Sequence, residues 1–77
     1  MKKTCLVKMK AGQKGLVVEF SGGSAIRERL MSMGIYPGRE ITKLSHFGLR
    51  GPVTIKVGRS VVAIGHGMAS KIVVETE

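Results

Sequence analysis

The sequence predicts a small, mainly β domain: a five-stranded barrel with one helix inserted after its first strand and a short helical turn before its last. Three observations predict it. Eleven glycines cut 77 residues into short pieces, and short glycine-punctuated segments are the habit of all-β chains. Several pieces alternate apolar and polar residues with the two-residue period of a half-buried strand. One piece, from Ser24 to Met33, lacks that alternation and is rich in helix formers. No linker, repeat or low-complexity tract divides the chain, so residues 1–77 are expected to form a single domain.

The first strand is read at Leu16–Phe20, where Leu16, Val18 and Phe20 alternate with Val17 and Glu19 and Phe20 is assigned to the core. Gly22-Gly23 leads into the helix, with Ser24 as N-cap and Gly34 as the left-handed residue beyond its end. Ile26, Leu30 and Met33 fall at i, i+4 and i+7, one apolar stripe turned toward the sheet. Tyr36-Pro37-Gly38-Arg39 reads as a type II turn, proline fixing φ and glycine supplying a positive φ. Between Arg39 and His46, Ile41 and Leu44 fall on opposite faces of an ideal strand, which predicts a bulge or strong bend. Such bends let a small sheet close. Val53, Ile55 and Val57 alternate cleanly with Thr54 and Lys56. Gly58-Arg59 supplies a tight hairpin turn into Val61–Ile64. A helical turn at His66–Ser70 precedes the last strand, Ile72–Val74.

Composition bounds the function. Hydrophobic residues make up 43% of the chain, with no Trp, one Tyr and two Phe, so the core is aliphatic. A core of this size leaves little room for a buried catalytic cleft. The formal charge is +8, and Lys2, Lys3, Lys8, Lys10 and Lys14 all precede Glu19, the first acidic residue. Such a bias suits nucleic acid, an anionic membrane face or an acidic protein patch, and equally serves plain solubility. Cys5 is the single cysteine, which points to a reducing compartment. Lys8 and Lys10 break the apolar stretch after Met1-Lys2-Lys3, so neither a signal peptide nor a membrane span is expected, and the chain is placed in the cytoplasm.

The chemistry-bearing residues do not assemble into a catalytic motif. Gly22-Gly23-Ser24 lacks the spacing of either phosphate-binding glycine motif and reads as a turn into a helix cap. No serine has an arguable histidine base. Glu28 and Glu40 read as solvated charges, and no enzyme is expected. His46 and His66 are weak metal candidates, scattered in sequence without close ligand spacing. The methionines suit a soft metal such as Cu(I) but more commonly fill core gaps. More informative is Met31, about 100° around the helix from Leu30 and so turned to solvent beside Arg27. With Ile35 and Tyr36 on the following turn it makes a candidate docking surface, since Met and Arg are enriched at interfaces. Phe47 and Leu49 form a second apolar patch on the loop that follows.

The run Leu30-Met31-Ser32-Met33-Gly34-Ile35-Tyr36-Pro37-Gly38-Arg39-Glu40-Ile41 closely resembles the signature of the ferrous iron transport protein A (FeoA) family. The resemblance extends through Ala11–Gly15 and Phe20–Gly23, and on through Gly51–Val57 to Ile72–Glu75. It implies an SH3-like barrel related to the C-terminal domains of iron-dependent repressors. It also implies an accessory protein of the ferrous-iron permease FeoB that binds the permease; the exposed helix and turn, Arg27, Met31, Ile35 and Tyr36, with Phe47 and Leu49 as a second patch, are then the expected contact with its cytosolic domain. Membrane contact would then come only through the partner. The family further carries an expectation of binding Fe2+ or another divalent transition metal. Two segments depart from the family pattern: Gly65–Ser70, and the loop His46–Pro52, which lacks the usual early proline. The alternative reading is a basic small barrel that binds nucleic acid or responds to metal. Single-strand binders need aromatic stacking platforms, and this chain offers only Phe20, Tyr36 and Phe47.

Overall fold

The computed structural model describes residues 2–48 and 50–77. Strands β1 (Lys2–Cys5), β2 (Lys14–Phe20), β3 (Glu40–His46), β4 (Val53–Val57), β5 (Ser60–Ile64) and β6 (Ile72–Thr76) form one antiparallel sheet. Its order is β1-β6-β2-β3-β4-β5. Helix α1 spans Ser24–Ser32 and α2 spans His66–Ala69. The five strands and two helical segments expected from sequence are all present, and the SH3-like small-barrel architecture holds. A sixth strand, β1, is added: Lys2–Cys5 pairs along β6 from Thr76 to Val73. Its run Lys-Lys-Thr-Cys has no apolar alternation because β1 is an edge strand whose residues are exposed or half-buried.

Register shifts between Val17 and Glu19 on β2 and between Lys43 and Ser45 on β3 bend the sheet. The second is the bulge foreseen at Leu44. The first corrects the reading of β2. Val17 is fully buried, Leu16 is exposed, and Phe20 is half-buried against the core. Period-two reasoning fails there because the bulge changes which face each residue presents on either side of it.

Gly15 is buried on β2, and a side chain there would meet Met9 Cε at 3.0 Å and Val74 Cβ at 3.3 Å. The missing side chain lets the segment after β1, a 3-10 turn at Leu6–Lys8 followed by Met9, lie against the barrel. Beneath it is a feature that no periodicity announces. Lys43 is only 2% exposed. Its Nζ donates to the Val7 carbonyl at 2.8 Å and the Met9 carbonyl at 2.6 Å. Backbone bonds reinforce the join, with Gly12 N–H donating to Lys43 O at 2.7 Å and Lys43 N–H to Gln13 O at 2.9 Å. Burial pushes the Lys43 pKa below its ordinary value, and the nearby Cys5 opposes that shift.

Helix α1 carries the expected sidedness. Leu30 is fully buried, Ile26 and Met33 are half-buried against the core, and Met31 is 45% exposed. The N-cap is Gly23 rather than Ser24, and no side chain caps the helix start. Ser24 instead forms the first helical residue, leaving the Gly23 carbonyl to accept the Arg27 N–H at 3.3 Å.

Candidate functional site

The site is built where α1 ends. Gly34 adopts φ +84°, its N–H donates to Met31 O at 3.0 Å, and the Ile35 N–H reaches back to Leu30 O at 3.0 Å. These two bonds are the pair that defines a Schellman motif, which brings the second residue past the cap onto the third from the end. Ile35 is accordingly 0% exposed and, like Leu30, belongs to the core. This corrects the expectation that Ile35 lies on the docking surface. The cap that requires Gly34 also turns Ile35 inward, contributing about 1.5–3 kcal/mol of burial.

Tyr36 then emerges, 38% exposed. The turn Tyr36–Arg39 closes with Arg39 N–H donating to Tyr36 O at 3.0 Å, and Gly38 takes φ +94°, the type II form. Arg39 Nη1 donates to the Tyr36 hydroxyl at 2.9 Å, and its guanidinium carbon lies 5.5 Å from the ring centroid. The ring is held by a hydrogen bond and a cation–π contact together. Arg27 and Met31, one helical turn apart, are both exposed on α1. The structure thus presents Arg27, Met31 and a braced Tyr36 in one continuous segment, and removes Ile35 from it.

Phe47 is 80% exposed at the start of the loop after β3, with its N–H donating to Pro52 O at 3.1 Å. A side chain on Gly51 would overlap the Phe47 carbonyl, so this glycine is what allows the loop to close. Leu49, expected beside Phe47, lies outside the described residues. Exposed apolar residues missed in the sequence are Val61, Leu44 and Leu16, on β5, β3 and β2. Val61 sits on an edge strand, and its exposure follows from register, which a single sequence does not give.

The two weak metal candidates come together despite their distance in sequence. The rings of His46 and His66 are stacked, centroids 5.6 Å apart and planes inclined by 26°. His46 Nε2 and His66 Nδ1 are buried without a hydrogen-bond partner among the described residues, at about 1–3 kcal/mol for each such atom. Among the described residues no cluster of three or more His, Cys, Asp or Glu gathers as a metal cage.

Charges of both signs line two shallow clefts. Lys14, Thr42 and Lys56 stand abreast on neighbouring strands, beside a cleft of about 390 Å³ that also includes Arg39 and Glu40. A second cleft of about 460 Å³ gathers Glu40, Glu75 and Glu77, three of the five acidic residues, together with Lys14. Phe20, one of the three aromatic residues a nucleic-acid reading would need, packs against the core. No described helix is long and apolar enough to cross a membrane.

Comparison with known proteins agrees with this geometry. The FeoA domain family model matches residues 4–76. A Methanocaldococcus jannaschii protein, provisionally named Fe(2+) transport protein A, is 38% identical over 66 residues, covering 86% of this chain and 78% of its own. The crystal structure of an iron uptake regulatory protein (FeoA) superposes with TM-score 0.90 at 38% identity, covering 100% of both chains. A manganese-dependent transcriptional repressor in complex with manganese shares the fold, with TM-score 0.90 at 18% identity over 38% of its length.

Proposed function

This chain belongs to the FeoA domain family, and from that premise we propose that it serves ferrous-iron transport as an adaptor docking on the cytosolic domain of a FeoB-type permease. The observation that carries the reading is the sidedness of α1 and its cap. Leu30 and Ile35 are interred while Met31 beside them is 45% exposed. Arg27 and Tyr36 flank it, the latter braced by Arg39. Methionine, tyrosine and arginine are the residue types enriched at interfaces. Ferrous iron is then the permease's cargo, and the chain works in the cytoplasm, reaching the membrane only through its partner.

Phe47 supplies a second contact. A side chain 80% exposed on a closed loop is pre-positioned to enter a pocket as an anchor. A pull-down of the permease's cytosolic domain tests both surfaces. Met31→Asp and Phe47→Asp each lower recovery of the partner while leaving the thermal midpoint unchanged. Undiminished capture by both variants would remove the proposed surface.

A further inference from the structure

We propose that the outer edge of β5 takes up an extended, acidic segment of another protein as an added strand. The proposal does not rest on the α1 surface. β5 ends the sheet, with no strand beyond it among the described residues. The hairpin leading into it turns through Gly58, at φ +60°, and Arg59, the glycine-first form of a two-residue turn. Such a turn makes Val57 and Ser60 a hydrogen-bonded pair. The alternation of an antiparallel ladder then bonds Val62 to Ile55 and Ile64 to Val53. Val61 and Ala63 are left with their N–H and C=O groups directed away from β4. Both residues are exposed, Val61 by 61%.

Natural sheets guard such edges with charged residues, proline or a bulge. The opposite edge, β1, carries Lys2 and Lys3. β5 has none of these guards. Its run Ser60-Val61-Val62-Ala63-Ile64 holds neither charge nor proline, and its register on β4 is unbroken from Ser60 to Ile64. Charge selects the occupant. Residues 41–74 include Lys43, Arg50, Lys56, Arg59 and Lys71 but no Asp or Glu. Lys56 stands abreast of Val61 on β4, Arg59 sits in the turn, and both are exposed. A second copy pairing edge to edge would set two basic hairpins together, in a chain of formal charge +8. Like charges across an interface oppose association and opposite charges favour it. An incoming strand takes its main-chain bonds from Val61 and Ala63, the mode of strand addition, and turns acidic side chains toward Lys56 and Arg59.

The test titrates the full ¹⁵N-labelled chain with a capped synthetic peptide in which glutamate and valine alternate, and follows amide hydrogen exchange. The expected result is saturable binding that slows exchange at Val61 and Ala63 by at least about tenfold, while Val62 and Ile64, already bonded to β4, change by less than about twofold. Ala63→Pro removes one outward donor without touching the β4 ladder. Val61→Glu sets a like charge against the peptide at an exposed position. Each weakens binding by about tenfold or more, as does exchanging the peptide's glutamates for lysines. Absence of saturable binding, equal binding of the lysine peptide, or slowing without the alternation overturns the proposal. So does undiminished binding by Val61→Glu, or sedimentation of the free chain as a dimer that Val61→Glu dissociates. Should Ala63→Pro fail to fold, the parent's exchange pattern and Val61→Glu decide.

Discussion

Replacing Lys43 with methionine keeps the length of the side-chain stem to Cε and removes its amine. The Val7 and Met9 carbonyls, now accepting at 2.8 and 2.6 Å, would be left without that donor. Orphaning buried acceptors costs about 1–3 kcal/mol each, so the two losses together come to about 2–6 kcal/mol. Relief of the ammonium's desolvation offsets part of this, and a net loss of about 2 kcal/mol at neutral pH is expected. For a domain of this size that lowers the melting temperature by about 8–16 °C. The pH dependence separates this account from simple loss of packing. Burial lowers the Lys43 pKa, so the folded chain releases that proton more readily than the unfolded chain. Stability therefore rises with pH between the lowered value and the ordinary one, where the unfolded state binds more protons. The neutral amine keeps two N–H groups, one for each carbonyl. Urea unfolding of the parent and of Lys43→Met, both with Cys5→Ser, measures the difference from neutral to alkaline pH. The parent's advantage grows with alkalinity. An advantage that is flat or shrinks over that range would refute the burial argument.

Ile35→Ala loses about 2–5 kcal/mol, the cost of truncating a buried isoleucine, while Met31→Ala stays within about 0.5 kcal/mol; thermal melts of the pair separate the inward side chain from the outward one. Gly34→Ala costs about 1–2 kcal/mol from its positive φ alone, since the added methyl meets Val57 Cγ1 at an ordinary 3.8 Å; denaturant midpoints check it. Gly51→Ala displaces the Phe47 backbone and lowers capture of the permease's cytosolic domain in the pull-down.

The parts of this molecule written in local chemistry were legible before the fold was known. Gly34, Pro37-Gly38 and Gly58-Arg59 mark the helix end and two turns because only particular φ values suit them. Ile26, Leu30 and Met33 give the helix its buried side. The bulge at Leu44 followed from a broken alternation. What could not be read depends on partners distant in sequence. Lys43 shares the inward face of Ile41 by strand period, but what receives its charge there, the Val7 and Met9 carbonyls, lies more than thirty residues away in sequence. β1 has no pattern of its own and exists because β6 offers it an edge. An unbroken period puts Leu16 on the same face as Phe20, and the β2 bulge leaves Phe20 against the core but turns Leu16 to solvent. Ile35 is the instructive case. An apolar residue just after a glycine cap could have been placed inward from the Schellman rule alone, yet it was grouped with Tyr36, its exposed neighbour. The His46–His66 contact needs two strand pairings in register, β3 with β4 and β4 with β5, so spacing along the chain gives no hint of it.

The central claim is that α1 and its cap offer one side to the core and the other to a partner. The most direct measurement is an amide spectrum of the ¹⁵N-labelled chain titrated with the permease's purified cytosolic domain. The account predicts shift changes concentrated at Arg27, Met31, Tyr36 and Phe47. An unperturbed spectrum, or changes confined to the Lys14, Thr42 and Lys56 row, would contradict it.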